Sequence, residues 1–269
     1  VFIIMFKKIL LFFMSVLATL GFLFWRVWLV GNCIEPLNGF FYPDADCFRL
    51  YFDLALIAFF GVVFVIAFTD KKLPSYRVNS SKSLGIINIF YALAAFAEFS
   101  ILFKDAKETN DKFDNIYVVA VLALAVFMVY FGFCMFKGKA ISKVSALIPL
   151  LVFVYRLGFV FVNSFGILKS SEVVLNIFSL IFCVLFFECF ARYNANIKFN
   201  LIKKPLLAIG IISPVIIITS TLGAALAPIF FNVGARNLPK DFTLLIATAI
   251  YIFLYTLVIF SKKAAYKND

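Results

Sequence analysis

Eight runs of about 20 consecutive apolar residues divide this chain, and few folds can accommodate them. A run of that length spans the hydrocarbon core of a bilayer as an α-helix. The runs are continuously apolar and do not alternate, so they do not read as strands of a membrane barrel. Helices satisfy every backbone N–H and C=O internally, which the bilayer requires. Placing the runs in water is the alternative, and composition rules it out. Of the 269 residues, 64% are hydrophobic, whereas a soluble domain is nearer 45–50% apolar. A soluble fold of this length has too little interior to hide the excess.

The predicted spans are Ile9 to Val30, Arg49 to Phe68, Leu84 to Phe103, Ile116 to Phe136, Val144 to Val162, Glu172 to Arg192, Pro205 to Ile229 and Phe242 to Phe260. The fold class is therefore an all-α polytopic transmembrane helix bundle of about eight spans, with residues 1–269 forming a single transmembrane domain. The first run passes through Phe24, Trp25 and Trp28 with no small-x-small cleavage site, so it reads as a retained helix and not a secretory signal. The chain begins with Val1, and Met5, opening "MFKKILLFF", is a candidate start residue.

Loop charge orients the bundle. With the N-terminus inside, the inner segments hold sixteen Lys and Arg and the outer segments seven; Arg26 and Arg156 lie within spans. Cytoplasmic loops carry the excess of basic residues, so both termini are expected on the cytoplasmic side. This also accounts for the net charge of +11 without nucleic acid, for which the chain has no basic–aromatic stripe outside its spans.

Several chemistries are excluded outright. The chain has no histidine, hence no His general base, Ser-His-Asp triad or His-ligated metal. No two of its twelve glycines lie two apart, so GxGxxG is impossible, and GxxxxGK[ST] is missing. No enzymatic activity and no cofactor are expected.

Charges within the spans need partners or a function. Arg26, Asp53, Glu98 and Arg156 sit roughly 10, 8, 7 and 4 Å above their span centres at a rise of about 1.5 Å per residue, all toward the outer side. Asn88, Tyr91, Ala95 and Glu98 recur at helical spacing and share one face. Ser145, Pro149, Val152, Arg156 and Asn163 form a second face, and Asn176, Ser179 and Cys183 a third. Two readings follow. In one, Arg26, Asp53, Glu98, Arg156, Asn88, Tyr91, Asn163 and Asn176 line an outward-opening cavity for a small anionic or zwitterionic solute. In the other, the two Arg and two carboxylates form a neutral structural layer in which Arg156 pairs with Glu98 or Asp53. Glu188, on the inner side, is expected to pair locally with Arg192.

The longest connection, Gly31 to Phe48, holds Cys33 and Cys47, which read either as a disulfide on an outer face or as two free thiols. The other three cysteines fall in spans and read as packing residues. Pro214, among Gly210, Gly223 and Pro228 in the seventh span, reads as a kink or as a broken transport helix. "FWRVWLVGN" and "VYRLGFVFVN" end the first and fifth spans alike, each with Asn six or seven residues after Arg. A 4 + 4 pseudo-repeat over 1–136 and 144–260 would explain this; chance likeness of apolar segments explains it more simply.

The segments "EPLNGFF", "IPLLVFVYRLGFVF" and "IFCVLFFECFARY" resemble multi-span membrane proteins of clostridia-like bacteria. The likeness covers the first, fifth and sixth spans. It implies a bacterial inner-membrane protein and no particular activity, and it gives Glu188 no functional role. The best-supported functions are a small-solute permease or permease-like subunit, or a non-transporting sensor, assembly factor or scaffold.

Overall fold

The computed structural model describes residues 2–35, 40–69, 80–109, 112–164, 171–197, 199–231 and 239–261. Pro36 to Gly39 of the α1–α2 connection lie outside the described residues. So do the loop cations Lys71, Lys72, Arg77, Lys169, Lys198, Arg236, Lys262, Lys263 and Lys267.

Eight long helices match the eight apolar runs: α1 (Phe2–Asn32), α2 (Asp46–Thr69), α3 (Lys82–Thr109), α4 (Lys112–Lys137), α5 (Ile148–Asn163), α6 (Ser171–Asn194), α7 (Phe199–Phe231) and α8 (Phe242–Ser261). Each is long and apolar enough to cross a membrane. The chain is an integral membrane protein of polytopic helical type. Helices overrun the apolar runs: α3 continues from Phe103 to Thr109, and α7 begins at Phe199, six residues before Pro205. Polar flanks extend a helix cheaply where water satisfies its last carbonyls. Gly138 ends α4 with φ +66°, and the next N–H, of Lys139, donates to the Cys134 carbonyl at 3.0 Å. A left-handed residue at this place is the usual helix stop, and glycine adopts it without a Cβ clash.

Six helices close into a ring: α3 packs on α4, α4 on α5, α5 on α6, α6 on α7, α7 on α8, and α8 on α3. Helices α1 and α2 lie outside the ring against α7. As a result α7 is the most enclosed span. It is one continuous helix through Pro205, Pro214 and Pro228, so of the two readings of Pro214 the broken transport helix does not hold. Ser213 beside it donates to the carbonyls of Ile209, at 2.7 Å, and Phe182, at 3.3 Å.

Small residues set the closest approaches, as is usual where helices pack without a hydrophobic drive. A side chain at Gly132 would meet the Gly85 carbonyl of α3 at 3.1 Å, and one at Gly210 would overlap Thr256 of α8. The middle of the ring is filled with aromatic side chains. Phe153 stacks on Phe187 with centroids 5.1 Å apart, Phe187 stacks on Tyr251 at 6.3 Å, and Phe131 meets Phe190 edge-on at 5.3 Å. The phenylalanines thus divide between this plug and the lipid-facing surface, where Phe24 and Phe90 are exposed.

Candidate functional site

The intramembrane charges gather at the end of the bundle that carries the α1–α2, α3–α4 and α7–α8 connections, opposite the two termini. They form two separate clusters and not one layer.

The first cluster joins α3, α4, α5 and α8. Arg156 of α5 does not pair with Glu98 or Asp53. It grips Asp241, the residue immediately before α8, through Nε to Oδ2 at 2.9 Å and Nη2 to Oδ1 at 2.7 Å. This two-pronged fork is the strongest geometry open to an Arg–carboxylate pair. Tyr117 of α4 donates its hydroxyl to the same Oδ2 at 2.9 Å, and the guanidinium lies 4.9 Å over its ring. Both charges are buried. Glu98 is buried too, and it accepts a hydrogen bond from the Thr243 hydroxyl, two residues past Asp241. Lys240 bonds Asp114 at 2.7 Å at the exposed edge of the cluster. The expected Arg156–Glu98 pair fails because Asp241, immediately before α8, lies against α5 and supplies the carboxylate instead. The sequence signal was slight: an Asp placed just ahead of an apolar helix, in "LPKD", where acidic residues favour the helix start.

The polar face of α3 binds α8 and not a cavity. Asn88 accepts from the Tyr251 hydroxyl at 2.9 Å, and Tyr91 shares a hydrogen bond with Thr248 at 2.8 Å. The Tyr91 and Tyr251 rings stack with centroids 4.5 Å apart. Asn163 is exposed at the end of α5 and joins neither cluster. On α6, Ser179 bonds Ser220 of α7 at 2.6 Å, while the buried side-chain oxygen of Asn176 accepts no hydrogen bond among the described residues. Glu188 and Arg192 form the expected i,i+4 ion pair at the opposite end.

The second cluster joins α1, α2, α6 and α7 around a cavity of about 300 Å³. Arg26 lines it and is 1% exposed. Its aliphatic stem lies over Gly223 of α7, where any Cβ would collide with it. The charges of Arg49 and Arg26 both bear on the Asp53 carboxylate, and Arg49 reaches Asp53 at 3.7 Å one turn along α2. Leu56, Ile57 and Phe60 continue the α2 wall inward, facing Leu175 and Phe178 of α6. Phe41 roofs the cavity: a single antiparallel bridge with Ile34 pins it there, and Arg49 packs 5.5 Å over its ring. Phe60 and Phe182, with centroids 5.3 Å apart, bring α2 and α6 together at the inner end.

Cys33, buried, and Cys47, exposed, are separate thiols beside this cluster. Burial, with a smaller contribution from Cys47, pushes the Cys33 thiol above its ordinary pKa. The structure therefore has the free-thiol alternative and not the disulfide.

No protein-family model, curated protein or solved structure matches the chain. Any reading of activity rests on the two clusters themselves. In the first, Asp241, Glu98 and Asp114 are met by a guanidinium, a hydroxyl and an ammonium, and the chemistry is that of a fastener. In the second, a buried arginine faces a space large enough for a small ligand.

Proposed function

We propose that the protein is a permease, or the membrane-embedded subunit of one, for a small solute bearing a negative charge. In this reading it sits in a bacterial plasma membrane with both termini cytoplasmic, and the Arg26 cavity receives the solute from the outer half. The observation that carries the reading is the buried Arg26 on the wall of a cavity of about 300 Å³. An ionisable group kept at this depth is costly and marks a ligand path by default. The volume lies at the lower end of the range for small-molecule sites.

The residues have distinct roles. Arg26 attracts the charge, Arg49 steers it at the mouth, and Asp53 offsets part of the positive charge in the empty site. The Arg156–Asp241 fork holds α5 and α8 together during any movement of α1 and α2 against α7.

A second reading, a non-transporting scaffold or sensor, is favoured by the aromatic plug of Phe153, Phe187 and Tyr251 inside the ring. The two readings separate in proteoliposomes on a solid-supported membrane, challenged with a panel of organic anions and zwitterions. A permease gives charge-displacement currents for part of the panel, and Arg26→Gln abolishes them. Silence across the panel from a folded protein favours the scaffold.

A further inference from the structure

The α1–α2 connection turns aromatic side chains away from the protein, and their height can be read from the two helices it joins. On α1, Leu20, Phe24 and Trp28 follow one another at helical spacing, and all three are exposed. On α2, Tyr51, Leu54 and Ala58 form an exposed stripe of the same kind. Both stripes face lipid. At the end of the bundle opposite the termini, each finishes in an amphipathic ring, Trp28 on one and Tyr51 on the other. Phe48, itself exposed, packs edge-on against Trp28 at 5.4 Å and ties the two helix ends at one level. Trp and Tyr gather where hydrocarbon meets headgroups, because such a ring is apolar at one end and polar at the other. The hydrocarbon boundary therefore lies at Trp28 and Tyr51.

The connection rises only a little above that boundary. Cys33 is five residues past Trp28, hence about 7.5 Å higher at about 1.5 Å per residue. The Tyr42 N–H donates to the Cys33 carbonyl at 2.9 Å, so the returning chain is held at the same height. The headgroup layer is about 5–7 Å deep on each side, from a bilayer of about 40–45 Å with a core of about 30 Å. Neighbours in an extended segment alternate sides: Phe41 turns in to roof the Arg26 cavity, whereas Tyr42 turns out and is exposed. We infer that the α1–α2 connection lies in the headgroup layer of the bilayer, with Tyr42 and Phe48 seated among zwitterionic phospholipid headgroups. Continuity with the two lipid-facing stripes makes lipid the occupant. Charge selects the headgroup: residues 33–49 hold Glu35, Asp44 and Asp46 against Arg49 alone, and an anionic membrane surface attracts basic segments, not acidic ones. Lipid thus braces the outer side of the segment whose inner side, Phe41, closes the cavity. This holds whether or not the cavity carries a solute.

The test places a small thiol-reactive fluorophore at Tyr42→Cys in a Cys47→Ser background, which leaves only the four buried thiols besides the labelled one. Both substitutions are at exposed positions and do not endanger folding. The full chain is held in nanodiscs of phosphatidylcholine. Three quenchers are compared: phosphatidylcholine spin-labelled on its headgroup, phosphatidylcholine spin-labelled at the end of its tail, and aqueous iodide. The headgroup label should quench most and the tail-end label less. Iodide should quench several-fold less than it does the free fluorophore–cysteine adduct. Replacing part of the phosphatidylcholine by phosphatidylglycerol should weaken quenching by the headgroup label; unchanged or stronger quenching overturns the assignment to zwitterionic headgroups. Iodide quenching equal to that of the free adduct, with none from either lipid, puts the connection in water and overturns the inference. Strongest quenching by the tail-end label puts it in hydrocarbon and also overturns it. Protection from all three quenchers means that protein covers the site, a second copy or another subunit, and overturns it as well.

Discussion

Arg156 and Asp241 lie 85 residues apart in sequence and form a two-pronged ion pair that ties the middle of α5 to the residue just ahead of α8. The pair is buried, and Tyr117 completes it from a third helix. Arginine cannot shed its proton to escape burial, so the carboxylate is its means of residing there. Breaking such a pair on one side costs about 3–5 kcal/mol, because the remaining charge is stranded. Thermal unfolding in detergent should therefore show Arg156→Ala and Asp241→Ala each strongly destabilised. The double variant should lose less than the sum of the two. Glu98→Ala should be milder, since it removes the acceptor for the Thr243 hydroxyl and the Leu244 N–H without breaking an ion pair. Strictly additive losses for Arg156 and Asp241 would show that the fork contributes no coupling.

Some of this arrangement is legible from sequence and some is not, for a physical reason. The eight spans are legible because each is fixed by about 20 local residues. The Glu188–Arg192 pair is legible because both ends lie on one helix turn. Arg26 and Asp53 stand out as charges within spans at similar depth, and the structure does bring them to one cavity. The partner of Arg156 is not legible. Asp241 lies outside every apolar run and reads as a solvated loop residue; only its contacts with Arg156 of α5 and Tyr117 of α4, distant in sequence, bury it. The face of α3 is legible as polar but not as to its purpose, because a stripe of Asn88, Tyr91 and Glu98 looks the same whether it faces water or faces Tyr251, Thr248 and Thr243 of α8.

The Asn88–Tyr251 contact gives a smaller and separable effect. Tyr251→Phe keeps the ring that stacks on Tyr91 and removes only the hydroxyl that Asn88 accepts at 2.9 Å. Hydrogen bonds between membrane helices are individually modest, about 0.6 kcal/mol on average and up to about 1.7. A loss of about 1 kcal/mol is expected, measured by reversible unfolding in mixed micelles. Tyr91→Leu should cost more, because it removes both the stack and the contact with Thr248. Equal losses would mean that the stacking contributes nothing.

Gly210 places α8 against α7. A methyl group there would overlap the Thr256 side chain, whose hydroxyl is held by the Ile252 carbonyl at 2.7 Å. Gly210→Ala should therefore destabilise by about 1–3 kcal/mol, the usual cost of overpacking, despite the better helix propensity of alanine, worth about 1 kcal/mol. Adding Thr256→Ala clears most of the obstruction, so the double variant should regain most of the lost Tm. Failure of Thr256→Ala to rescue would place the clash elsewhere along the α7–α8 contact.

Sidedness decides which leaflet the Arg26 cleft serves, and the cysteines offer a direct measurement. Of the five, Cys47 alone is exposed; Cys33, Cys134, Cys183 and Cys189 are buried. Cys47 lies at the start of α2, on the end of the bundle that holds Arg26, Asp53 and the Arg156–Asp241 pair. In the proposed orientation, with both termini cytoplasmic, Cys47 lies outside the cell. A membrane-impermeant maleimide should then label intact cells at Cys47, and Cys47→Ser should remove the signal. Cys33 should stay unlabelled in the folded protein, because burial both shields its thiol and raises its pKa, leaving less of the reactive thiolate at neutral pH. Labelling that appears only after the cells are opened would invert the bundle. Both termini would then be extracellular, and the Arg26 cleft would open from the cytoplasmic leaflet.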